Sequence, residues 1–362
     1  MVYFCSDFGV TEKFDPGFGV KFKWDIPLLE GYQYKFLKNH SPRPELNGFW
    51  GLLNLGIVKE LLMQRYDAIY VHGYNFLTNW LAFIAARLTG TPILLRTISH
   101  ILDKRPLYIR IAKEVVLRFL FNLVQACLYI GEHNLNYYKR FGVAMNRVFF
   151  VPHVVDNDFF AREYNRLKSK VRDIRFKWGI YDNRPVILFA GKLIPKKQPL
   201  LLLEAYRQVR QRCSCALLYA GDGPLRIDIE SRVYKENIPD VIITGFLNQT
   251  EISEAYTAGD ILVLPSFSET WGLVVNEGMN FGLPIIISDK VGCGSNCVRD
   301  GENGYIVPYT SFSALVEAIT ELVVNPQKRY IFGKRSLEII KSSGLEQFVN
   351  GVVEALRVVS RK

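Results

Sequence analysis

Glu269 and Glu277, with seven residues between them, sit in the stretch PSFSETWGLVVNEGMNFGLPIIISDKVGCGSNCVRDGENGYIVP, residues 265–308. A short apolar run, residues 261–264, ends just before it in Pro265 and Ser266, and after Gly272 the apolar positions take helical spacing. Residues 284–288 read as a further strand, so the layout is strand, loop, helix N-terminus, strand. A helix starting near Gly272 aims backbone N–H groups and the positive end of its dipole at the loop, which suits a phosphate. Gly272, having no side chain, lets a ligand approach the backbone. Glu277, over a turn into the helix, can accept two hydrogen bonds from the vicinal hydroxyls of a ribose. Glu269, on the loop, can do the same for the hydroxyls of a sugar. Taken singly, each acid reads equally well as a solvated helix or loop carboxylate.

The whole segment resembles the C-terminal half of the retaining nucleotide-sugar glycosyltransferases of family 4, or group 1, which have the two-domain GT-B fold. The resemblance implies that Glu277 binds the nucleotide ribose and that Glu269 holds hydroxyls of the transferred sugar. It implies that the helix N-terminus at Thr270, Trp271, Gly272 and Leu273 lies at the diphosphate. It extends to Gly191-Lys192-Leu193-Ile194-Pro195-Lys196-Lys197, where family members place an arginine and a lysine on the donor diphosphate. Lys197 matches the lysine. Lys192 stands where arginine is usual, keeping the charge but losing the planar fork that grips phosphate bidentately. Gly221-Asp222-Gly223-Pro224 resembles the family's glycine-rich turn, and Gly245-Phe246-Leu247 falls where backbone and an apolar side chain meet the base. The candidate catalytic residues are thus Lys192, Lys197 and Glu269. The donor-binding set is Gly191, Gly245, Phe246, Thr270, Trp271, Gly272, Leu273 and Glu277.

The family reading implies transfer of a sugar from a nucleotide diphosphate sugar to a hydroxyl of a glycan, lipid-linked or small-molecule acceptor, with retention of configuration. Retaining hydrolases place a carboxylate nucleophile about 5 Å from an acid, and no candidate for that nucleophile stands out here. Same-face attack with the leaving diphosphate taking the proton is the implied route. No Asp-x-Asp motif appears, so metal-independent activity without a cofactor is expected. Two other readings stand beside it. One is a catalytically weak or inactive GT-B protein serving as a binding or partner subunit; the other is a nucleotide-sugar 2-epimerase, a class whose members lack the two-glutamate arrangement.

The elements that must position these residues follow from apolar periodicity. Buried strands are expected at residues 67–72, 92–96, 126–130, 148–151, 185–190, 216–220 and 241–244, with helices between them, which predicts parallel, doubly wound sheets. His72, Arg96 and His100 fall at or just beyond strand ends, where such sheets bind ligands, and are candidates on the acceptor side. A helix after Arg96 is expected through about Val116. Residues 1–47 are rich in Phe, Tyr, Gly, Pro and Lys; Asp15-Pro16-Gly17-Phe18-Gly19 is a turn signal, and the aromatic passage around Trp24 reads as a loop or an acceptor-side surface. Family members open with a strand and a glycine-containing loop at the diphosphate. No such unit precedes Tyr3: either the chain lacks it, and with it an inner strand of the first sheet, or its true start lies upstream.

The expected fold is therefore α/β, GT-B, with two Rossmann-like domains facing a central cleft and a C-terminal helix crossing back to the first. Its boundaries are an acceptor-side domain at residues 1–155, a basic interdomain helix at 156–182, a donor-binding domain at 183–341 and the crossover helix at 342–362. The chain's 362 residues, 49% hydrophobic and 22% charged, suit two globular domains. Six scattered cysteines match no zinc spacing and read as reduced, in a cytoplasmic protein. The net charge of +10 comes with basic clusters at Lys104-Arg105-Arg110-Lys113-Arg118 and from Arg162 to Lys177. No nucleic-acid-binding signature accompanies them. They read as solvated faces or as peripheral contact with an anionic membrane at its inner face.

Overall fold

The computed structural model describes residues 1–100 and 107–360. The chain divides into two compact units, one of Met1–Thr11, Pro27–His153 and Glu346–Lys362, the other of Glu12–Ile26 and Val154–Leu345.

In the first unit β1 (Val2–Phe4) opens the chain. A hairpin of β2 (Lys13–Asp15) and β3 (Val20–Phe22), part of the second unit, comes next. β4 (Tyr34–Phe36) then pairs in parallel with β1. From there helices and strands alternate: α1 (Gly56–Met63), β5 (Ile69–His72), α2 (Leu77–Thr89), β6 (Ile93–Arg96), α3 (Leu107–Leu123), β7 (Ala126–Tyr129), α4 (Glu132–Arg140) and β8 (Val148–Phe150). β5 to β8 form one parallel sheet in sequence order, separate from the β1–β4 pair. The two central strands, β6 and β7, bury both faces, as parallel strands between helices do. Leu95 and Cys127 pack with Phe83, Leu117, Leu120 and Tyr138 on one side. Leu94, Ala126 and Leu128 pack with Phe348, Val352, Ala355 and Leu356 of the C-terminal helix on the other.

The second unit continues with α5 (Asn157–Leu167), α6 (Val171–Lys177), β9 (Val186–Ala190), α7 (Pro199–Arg210), β10 (Ala216–Ala220), α8 (Arg226–Lys235) and β11 (Val241–Gly245). It then adds α9 (Ile252–Ala258), β12 (Ile261–Leu264), α10 (Leu273–Asn280), β13 (Ile285–Ser288), a short α11 (Gly294–Cys297), β14 (Gly304–Val307), α12 (Phe312–Val324) and α13 (Pro326–Lys341). Its six strands are all parallel, in the order β11-β10-β9-β12-β13-β14. In order of appearance that is 3-2-1-4-5-6, the dinucleotide-binding arrangement. Its loops part company between the first and fourth strands, here β9 and β12, and open a crevice at their C-terminal ends.

Four sequence expectations need correction. The expected first domain runs unbroken over residues 1–155, whereas Glu12–Ile26 belong to the second unit and the division falls between His153 and Val154. The aromatic passage Trp24 to Tyr32 is split, Trp24–Ile26 belonging to the second unit and Pro27–Tyr32 to the first. Residues 156–182 are not one interdomain helix: α5 and α6 are part of the second unit, the latter tied down by Arg175, which hydrogen-bonds the Ala258 carbonyl and pairs with Asp260 at 2.6 Å. The helix expected to stop near Val116 runs on to Leu123, because Leu117, Leu120 and Phe121 face the core at helical spacing. β14 and α13 carried no clear periodic signal and were not anticipated.

Candidate active site

Loops after β9 and β12 bring the candidate residues together at the switch point of the second unit. After β9 the chain makes a tight turn, Pro195–Lys197, before α7. Lys197 lies against Gly191: a Cβ built there would stand 3.4 Å from the Lys197 Nζ. The loop after β12 runs beside the β13 end through a parallel bridge between Glu269 and Val291. Lys197 Nζ and Glu269 Oε2 meet at 2.8 Å, with side chains only 12% and 11% exposed. Such a pair is costly to desolvate unless its geometry and further partners compensate. The pair sets one cation and one anion side by side at the crevice.

Gly272 caps α10 with φ +98°, a left-handed conformation that L side chains rarely adopt. A Cβ there would also press on Val291 and Leu264 at 3.1 and 3.2 Å. The glycine thus lets α10 start abruptly at Leu273, with first-turn N–H groups that have no intrahelical acceptor. Thr270 is exposed beside it and Leu273 half-buried. Trp271 does something else. Its side chain is 4% exposed and its indole N–H donates to Asn276 Oδ1 at 3.0 Å, so it anchors the helix start from within.

Glu277, one turn further on, receives a hydrogen bond at 2.5 Å from the hydroxyl of Tyr256 on α9. Burial pushes the Glu277 carboxyl above the ordinary carboxylate range, outweighing that hydrogen bond and the opposing charge of Lys197. Tyr256 is itself fully buried and stacks on Phe281, ring centroids 5.3 Å apart. It is a positioning residue the sequence reading missed. A tyrosine at an apolar position of a short helix looks like core, and nothing local marks its hydroxyl as aimed at a residue 21 positions on.

Lys192 and Phe246 have partners from an unexpected direction. Lys192 Nζ lies 2.8 Å from Asp15 Oδ2, and Phe246, half-buried after β11, is packed by Phe18 and Phe22 with centroids at 4.9 and 4.7 Å. Gly245, before it, takes φ +76°.

In the first unit, His72 and Arg96 are register partners at the ends of β5 and β6. Arg96 is 4% exposed and donates to the Pro152 carbonyl at 3.0 Å and to His153 Nδ1 at 3.3 Å. Burial, together with the charge on Arg96, pushes His153 down to about 3, so its imidazole is neutral near pH 7. His153, three residues beyond β8, joins this group without having been singled out; His100 lies beyond β6, half-buried.

A six-stranded parallel sheet in the order 3-2-1-4-5-6, with lysine–carboxylate pairs at its switch point, defines the class: a doubly wound α/β unit of the GT-B kind. Residues 170–338, within the second unit, match the family model described as Glycosyl transferases group 1. The α-D-kanosaminyltransferase of Streptomyces kanamyceticus is 30% identical over 164 residues, 45% of this chain and 42% of that protein. The UDP-Gal:α-D-GlcNAc-diphosphoundecaprenol α-1,3-galactosyltransferase of Escherichia coli is 26% identical over 281 residues, 74% of this chain and 69% of that protein. A crystal structure of Anabaena HepE in complex with UDP covers 90% of this chain and 86% of its own, with a TM-score of 0.70 at 17% identity. That likeness establishes the GT-B fold. The chain spans about half, or less, of the length of several curated relatives it matches.

Proposed function

We propose that this protein transfers a sugar from a nucleotide diphosphate sugar to an acceptor hydroxyl with retention of configuration. The single observation that carries the reading is the Lys197–Glu269 pair at the switch point, with Glu277 and the start of α10 beside it. Lys197, Lys192 and the α10 N-terminus meet the charge of the diphosphate, Glu277 takes the ribose hydroxyls and Glu269 a hydroxyl of the sugar. In the reaction the bond from the sugar anomeric carbon to the diphosphate oxygen breaks. A bond to the acceptor oxygen forms on the same face, and the acceptor proton passes to the departing diphosphate. The protein contributes positioning and electrostatic stabilisation, and in this reading no divalent cation is required. A thermal-shift panel of nucleoside diphosphates and their sugar conjugates is the first test. One base is expected to raise the melting temperature strongly, with chelator making no difference. A flat response to every compound at millimolar concentration would sink the reading.

Acceptor class and location rest on the first unit. We propose peripheral contact with an anionic membrane through α3, in line with the lipid-linked acceptor in the name of the galactosyltransferase relative. Leu107, Ile111, Val115 and Phe119 recur every four residues on its outer face and are 67, 58, 67 and 59% exposed. On the same helix Arg118 pairs with Glu114 at 2.9 Å and Lys113 stands 5.0 Å over the Tyr137 ring, while Lys104 and Arg105 are outside the described residues. Among the described residues no helix is long and apolar enough to cross a membrane, whereas an apolar stripe beside basic residues suits the bilayer interface. The second basic cluster is partly spent in ion pairs such as Arg166–Glu163 and Lys177–Glu254. Co-sedimentation with phosphatidylcholine vesicles should rise several-fold when phosphatidylglycerol is included. It should fall back in an Ile111→Ser, Val115→Ser, Phe119→Ser variant; equal sedimentation of variant and parent would remove α3 from the account.

A further inference from the structure

The β2–β3 hairpin reaches the residues assigned to two ends of the donor. At the phosphate end, Asp15 is 6% exposed and its two carboxylate oxygens lie 2.9 and 2.8 Å from Lys192 Nζ. The same carboxylate accepts the backbone N–H of Gly17 at 2.7 Å and of Phe18 at 2.9 Å. The Lys192 ammonium also stands 4.8 Å over the Phe18 ring. At the base end, Phe18, Phe22 and Trp24 gather round Phe246, with Trp24 at 6.4 Å. Beyond it, the Asn248 side-chain amide donates to the Lys23 carbonyl at 2.8 Å, and the Thr250 N–H and hydroxyl donate to Asp25.

The fit is close rather than incidental. A Cβ on Gly17 would stand 2.7 Å from Lys192 Cδ and 2.9 Å from its Nζ, so a larger residue there would displace the lysine tip from this pose. A Cβ on Gly223, in the turn after β10, would be 2.9 Å from the Gly17 carbonyl oxygen. The hairpin thus seats against the loops that follow β9, β10 and β11. Burial alone would raise the Asp15 carboxyl, but Lys192 and the two backbone N–H groups prevail and hold it below its usual range.

We infer that this hairpin is a wall of the donor site, and that Asp15 is the built-in anion which the donor diphosphate displaces from Lys192. The inference rests on the donor-site reading above. A carboxylate and a phosphate compete for the same ammonium donors. Lys192 has three N–H donors on a flexible stem and can swing from one anion to the other, which a bidentate arginine fork does less readily. Asp15 keeps the Gly17 and Phe18 N–H groups when the lysine leaves, so its release does not strand a bare buried charge. The residue therefore sets the affinity of the site for anionic donors, and lysine in place of the family's usual arginine becomes part of the device.

The test uses the full-length protein and titrates UDP and GDP, with the corresponding nucleosides as phosphate-free controls, into four proteins: wild type, Asp15→Asn, Lys192→Ala and the double variant. Glu277→Ala reports separately on the ribose end. Asp15→Asn is expected to bind the preferred diphosphate about tenfold more tightly while its melting temperature falls, because an ion pair has been lost. The gain should be absent for the nucleosides and should vanish when Lys192 is also removed. Opposite signs in stability and affinity are what a merely structural clamp does not give. If wild type binds and Glu277→Ala does not, yet Asp15→Asn binds equally or more weakly, the inference is overturned and the donor site stands. If no nucleoside diphosphate binds wild type or Asp15→Asn at millimolar concentration, both fall together.

Discussion

Lys197→Ala should lower turnover of the nucleotide sugar by about 10²–10³-fold, the scale of losing one preorganised charge-stabilising donor. It should also destabilise the protein, and the two effects have different origins. Lys197 and Glu269 face each other at 2.8 Å, both nearly shut off from water. Deleting one partner leaves the other as an uncompensated charge, which costs about 3–5 kcal/mol in a buried pair. Replacing both by apolar residues of similar volume, Lys197→Met with Glu269→Leu, removes the stranded charge and should restore most of the melting temperature without restoring activity. Chemical denaturation and initial rates on the three proteins separate the terms. Recovery of activity in the double variant would show that Lys197 serves the fold alone. Equal stability of Lys197→Ala and wild type would show that the pair is too well hydrated to matter.

What the chain disclosed on its own divides along physical lines. Fully buried parallel strands such as β9, β12 and β13 are short apolar runs, and Gly272 before a helical run marks the α10 start, so the second sheet, apart from its edge strand β14, was legible. Both signals rest on interactions local in sequence or on a pattern that burial on two faces imposes. The Lys192–Asp15 pair spans 177 positions and the Tyr256–Glu277 contact 21; no periodicity announces either. Asp15-Pro16-Gly17-Phe18-Gly19 could be read as a turn, and it is one, but not which unit the turn would lie on. Trp271 shows the converse. Its indole is spent inside the fold on Asn276, so what this position offers a ligand is the backbone of the helix start.

Glu277→Gln should make the ligand-free protein more stable and its nucleotide binding weaker. Burial is the larger influence on this carboxyl and raises it, against the Tyr256 hydroxyl and the charge of Lys197, which lower it. For an acid raised on folding, the sign runs one way. Below the unfolded value, about 4.3 for glutamate, both states are protonated and the group costs the fold nothing. As pH climbs past that value the unfolded chain ionises first, and the penalty grows until the folded carboxyl ionises too. Glutamine removes the charge, keeps the shape and still accepts from Tyr256, so the gain in melting temperature should be full at neutral pH and disappear in acid. Binding moves the other way, because hydroxyls of a ribose donate more strongly to a carboxylate than to an amide. Losing a hydrogen bond to a charged group costs about 1.5–3 kcal/mol, roughly ten- to a hundredfold in affinity for the preferred nucleoside diphosphate. In wild type that affinity should itself decline as pH falls through the raised value, and in Glu277→Gln it should lose that dependence. Calorimetric titration across the acid range reads both. A glutamine variant that melts lower than wild type and binds as tightly would mean that the carboxylate is held for the fold and not for a ligand.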